Sequence, residues 1–62
     1  MNRIVKHIIE MKGISPEHAR LLVKETADEI MCNPDDALYI IKDYLCISDP
    51  DETTLHAVML CR

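Results

Sequence analysis

Three successive stretches of the chain repeat apolar residues at helical spacing, with polar residues between them. In 2–12, Ile4, Ile8 and Met11 share a stripe with Val5 and Ile9 beside it, and Arg3, Lys6, His7 and Glu10 lie opposite. In 16–32 the stripe is Ala19, Leu22, Val23, Thr26, Ala27 and Ile30, facing away from Glu17, Lys24, Glu25, Asp28 and Glu29. In 34–46 it is Ala37, Leu38, Ile40, Ile41, Tyr44 and Leu45, with Asp35, Lys42 and Asp43 outward. Steps of i, i+3, i+4 and i+7 belong to amphipathic helices and not to strand alternation. The last segment, 50–62, is less regular: Leu55, Val58 and Met59 share a face, but Ala57, Leu60 and Cys61 spread apolar character around it. The pattern predicts one all-α domain over 1–62, a small bundle of three amphipathic helices plus a short C-terminal fourth helix. Links of a few residues favour antiparallel or steeply angled neighbours.

Three proline motifs punctuate these stretches: Ser15-Pro16-Glu17, Asn33-Pro34-Asp35-Asp36 and Asp49-Pro50-Asp51-Glu52. A helix starts with backbone N–H groups that lack intrahelical acceptors, and Ser, Asn or Asp at the cap accepts one of them. Pro at the next position loses no hydrogen bond, and an acid in the first turn meets the positive end of the helix dipole. The motifs therefore predict helix starts capped by Ser15, Asn33 and Asp49, with Asp36 and Glu52 placed to reach back as capping-box partners. Gly13 is the expected stop of the first helix.

Composition fits that reading. Sixty-two residues lie near the lower limit for a single self-sufficient core. With two Tyr and no Phe or Trp, that core is aliphatic. Three cysteines, at 32, 46 and 61, form an odd set without CxxC spacing, which predicts reduced thiols. MNRIVKHIIEMK has no continuous apolar run of the signal-peptide kind, and no stretch approaches the ~20 apolar residues of a membrane span. The expected setting is intracellular and cytoplasmic, with no membrane partner. Net charge is −4 but uneven. Residues 1–24 carry five bases against two acids, and 25–62 carry two bases against nine acids. The two halves packing together accounts for this more simply than an acidic partner does.

Candidate chemistry is sparse. His7, His18, His56 and the three cysteines have no short ligand spacing, so no metal or other cofactor is expected. DPDET lacks the spacing of a calcium loop. The acidic pairs have their account as caps. No glycine-rich loop or polar group within a stripe suggests catalysis, and the expectation is a non-enzyme with no small-molecule substrate. Nucleic-acid binding through a basic face of Arg3, Lys6, Arg20 and Lys24 is the alternative function. It is disfavoured because the third helix, in the recognition position of a helix–turn–helix, faces outward with Asp35, Asp36, Tyr39, Lys42 and Asp43, whose acids phosphate repels.

Apolar residues outside the stripes remain. Leu21 and Tyr39 lie opposite the stripes of their helices, and the fourth helix is apolar over a broad arc. Either the fourth helix closes the core within the monomer, or these residues form a second contact surface. The expected function is a small protein–protein interaction domain that self-associates, as a homodimer, through its C-terminal helix. Its candidate interface is Leu21, Tyr39, Leu55, Val58, Met59 and Leu60. Another protein is the other expected partner.

Met11-Lys12-Gly13-Ile14-Ser15, following a first helix, and Tyr44-Leu45, closing the third, resemble parts of ubiquitin-associated-type three-helix domains over about 4–45. The first is similar to the Met-Gly-aromatic loop those domains use against ubiquitin, and the second lies near their hydrophobic pair. Lys12 stands between Met and Gly, Ile14 replaces the aromatic, and the second helix is about twice as long as in that fold. The resemblance implies an alternative docking patch of Met11, Ile14 and Leu45.

Overall fold

The computed structural model describes residues 2–61. It has four α-helices and, among the described residues, no strand: α1 (Arg3–Lys12), α2 (Pro16–Cys32), α3 (Ala37–Leu45) and α4 (Glu52–Met59). A single 3-10 turn, Pro34–Asp36, leads into α3. The all-α expectation holds, as does the short fourth helix. α2 is the longest element and packs against each of the other three. α4 lies against α1, α2 and α3 and closes the remaining side of the core.

Two of the expected helix ends form as the chemistry requires. Ser15 is extended, and its Oγ accepts the His18 N–H at 3.2 Å. Gly13 adopts the left-handed conformation at φ 65°, and its N–H reaches the Ile9 carbonyl at 2.9 Å.

Two caps are corrected. Asn33 ends α2 and does not cap α3: its N–H bonds the Glu29 and Ile30 carbonyls, and its side-chain amide donates to Glu29 Oε1 at 3.1 Å. With Asn33 committed backward, the chain turns through Pro34–Asp36 before α3 begins, and Asp36 makes no side-chain cap bond. The cap of α4 is Asp51, not Asp49. Asp51 Oδ1 accepts from the Thr54 N–H at 2.9 Å and from the Thr54 hydroxyl at 3.1 Å. Asp49-Pro50 stand before the helix, and α4 ends at Met59, short of the expected 62.

The core is aliphatic and draws on every helix. Ile4, Val5 and Ile8 meet Ala19, Val23, Ala27 and Ile30 of α2, then Ala37, Ile40, Ile41 and Leu45 of α3. Ala57 and Val58 of α4 complete it. Four alanines and three valines let the helices approach closely, which suits a chain too short for a thick core. Thr26 is the one buried polar residue described, and its hydroxyl donates to the Leu22 carbonyl at 2.8 Å, so burial leaves no orphaned group. Met11, Leu38 and Tyr44, assigned to the stripes by period, are exposed at the edges of the buried faces.

Candidate interaction surface

The domain measures 30 × 21 × 17 Å, less than two helix diameters across its thinnest axis, so its concavities are surface grooves. A groove of about 450 Å³ runs beside the end of α3, lined by Tyr39, Lys42, Asp43, Cys46, Ile47 and Ser48. A second, of about 290 Å³, is lined by Arg3, Ile4, His7, Ile47 and Thr54. A third, of about 370 Å³, lies between Asn2, Arg3, Thr53, His56, Ala57 and Leu60. Ile47 is a wall of the first and second, and Arg3 of the second and third. The three are therefore consecutive, with Tyr39 at one end and Leu60 at the other.

The expected interface residues divide three ways. Tyr39 and Leu60 are strongly exposed, at 69% and 68%. Leu21 is also exposed, at 53%, but sits on the outer side of α2 and lines none of these grooves. Leu55 and Met59 are half-buried against the core. Val58 is corrected: its exposure is 0%, and its side chain belongs to the monomer's own core. The reason lies in the rotation of α4, which turns Ala57 and Val58 inward and leaves Leu60 beyond the last helical turn.

The alternative docking patch is corrected in the same way. Met11 is exposed and Ile14 half-buried, but Leu45 is fully buried as the last core residue of α3. These three do not form a common surface. Direct neighbours of that region are Lys12 and Cys46, with Lys12 Nζ 3.7 Å from Cys46 Sγ.

Cys46 is what the sequence reading missed. It closes α3 with φ 57°, the only positive-φ non-glycine residue described. Cys32 and Cys46 are exposed free thiols. Cys61 is partly buried, and its thiol, 3.7 Å from the Ala57 carbonyl, is pushed above the ordinary cysteine range by desolvation. Among the described residues no cluster of three or more His, Cys, Asp or Glu is placed to hold a metal ion. Among the described residues no helix is long and apolar enough to cross a membrane.

The fold and surface thus define a small all-α domain with grooved, partly apolar flanks. In comparisons with known proteins no family, no curated protein and no solved structure matches the chain.

Proposed function

We propose that this chain is a protein–protein interaction domain that self-associates as a homodimer through its C-terminal helix. The observation that carries this reading is that α4 has more apolar surface than the monomer covers. Ala57 and Val58 are buried, Leu55 and Met59 are half-covered, and Leu60 stands exposed beside Arg3 and His56. A domain of this size gains little from its own core, and a second copy supplies the missing burial. Light scattering behind size exclusion tests the reading over micromolar to millimolar concentration. A dimer that grows in with concentration supports it, and a monomer throughout overturns it. A Leu60→Glu variant run alongside identifies the side of α4 involved: loss of the dimer assigns the exposed side, and persistence assigns the sheltered side.

A further inference from the structure

We propose that two copies associate by exchanging α4, each placing Glu52–Met59 into the groove that its partner's α1, α2 and α3 form. The proposal rests on the self-association reading above but places it on the buried side of α4, since exchange reproduces the monomer's own contacts and leaves Leu60 as exposed as before. Its first support is where the contacts of α4 go. Ala57 and Val58 are buried against the other helices, and the Ala57 carbonyl is held by Asn2 Nδ2 at 2.8 Å, from a residue 55 positions away. A second copy's α4 makes every one of these contacts equally well, so exchange loses no core packing.

The second support is the hinge. α4 is attached to the body through residues 46–51. Within that segment Ile47 packs against the core, Pro50 is half-buried, and Cys46 adds its weak, exposed contact with Lys12. The chain reverses at Cys46, whose left-handed backbone is unfavourable for any residue with a Cβ. Opening the hinge releases that strain. Pro50 further biases Asp49 toward extended backbone, the conformation an open hinge needs. A strained reversal beside a short terminal helix is the combination that favours exchange over closure.

The third support is α4 itself, eight residues with two fully seated side chains. Such an element leaves its groove by local opening, without global unfolding. Exchange also gives Val58 two roles without contradiction. It is a core residue in the monomer and an intermolecular contact in the dimer.

The test compares the full-length wild type with Leu60→Glu, Cys46→Gly, Ile47→Pro and Ile47→Ala, each checked for helicity by circular dichroism. Glycine accepts the left-handed turn, so Cys46→Gly favours the closed monomer and weakens dimerisation about tenfold or more. Proline at 47 drives the preceding residue out of the turn. It removes an N–H with no backbone partner in the structure, so Ile47→Pro strengthens dimerisation relative to Ile47→Ala. Leu60→Glu leaves an exchanged dimer intact. A dimer split by Leu60→Glu and indifferent to both hinge variants overturns exchange while sustaining self-association. A wild type monomeric at all concentrations overturns both. Should Ile47→Pro fail to fold, an unchanged dimer in Cys46→Gly is sufficient to overturn exchange.

Discussion

The Asn2 side chain bonds two helices at once: Oδ1 accepts the Ile4 N–H at 2.8 Å, and Nδ2 donates to the Ala57 carbonyl at 2.8 Å. One amide therefore starts α1 and ties α4 to it. The two functions are separable because an aspartate retains the acceptor and lacks the donor. Asn2→Ala is expected to cost about 1–3 kcal/mol, the cap and the cross-helix bond together. Asn2→Asp is expected to cost less and to loosen α4 alone. Amide hydrogen exchange checks this: α4 speeds up in both variants, α1 only in Asn2→Ala. Unchanged exchange in α4 of Asn2→Asp would remove the tie from the account.

Core and surface leucine or isoleucine residues should differ sharply. Ile8 is fully buried at the centre of the bundle, so Ile8→Ala is expected to cost about 2–5 kcal/mol. A single core of this size supplies roughly 3–5 kcal/mol in all, so the variant should be largely unfolded at room temperature. Leu21→Ala, on the outer side of α2, should stay within about 0.5 kcal/mol of wild type. Urea denaturation followed by circular dichroism separates the two, and comparable midpoints would contradict the core assignment.

Gly13 offers a backbone test free of packing. A Cβ placed there meets nothing within 4 Å, so the cost of Gly13→Ala is conformational. It is expected to be about 1–2 kcal/mol, with Gly13→Asn less affected because asparagine tolerates the left-handed region better. Thermal unfolding of the pair should rank them in that order.

Thiol reactivity should follow exposure. The thiolate is the reacting species, and burial holds the Cys61 thiol protonated to higher pH than usual. Near neutral pH, iodoacetamide should label Cys32 and Cys46, both exposed, before Cys61. Timed quenching and peptide mass spectrometry give the order directly, and early labelling of Cys61 would show that its site opens.

The start of α4 should be sensitive to acid. The Thr54 backbone N–H, then the Thr54 hydroxyl, hold the Asp51 carboxyl below its ordinary range. A carboxylate with a lower folded than unfolded pKa stabilises the fold above its unfolded value, near pH 4, and loses that contribution as pH falls through the folded value. Asp51→Asn retains an acceptor but cannot titrate. The stability difference between wild type and Asp51→Asn should therefore shift against wild type on acidification. Parallel melting curves across about pH 2 to 6 check it.

Much of the architecture was legible because its causes are local. Ser15 caps α2 and Gly13 ends α1 through bonds spanning three or four residues, which the sequence displays in full. The displaced caps were not legible for a related reason. Asn33 had two local options, and bonding back to Glu29 displaced the forward cap. Asp49 and Asp51 both precede acidic residues, and the Thr54 hydroxyl, which gives Asp51 a second bond, settles the start of α4 at Asp51.

The candidate surface was less legible, because helical period defines a face of each helix but not how far a neighbour covers it. Tyr39 and Leu60 read as apolar residues without a place, and both are exposed. Val58 read as an interface candidate and is fully buried, while Leu45 read by period as a stripe residue and by resemblance as a docking residue, and its full burial agrees with the period.

By itself, the sequence determined the all-α class, the number of helices and the ends at Gly13 and Ser15, since caps, turns and apolar spacing act within a few residues. Tertiary structure alone decided that Asn2 bonds Ala57 and that α4 turns Val58 into its own core. Each of those depends on elements distant in the chain meeting at one orientation, and residue spacing carries no record of that orientation.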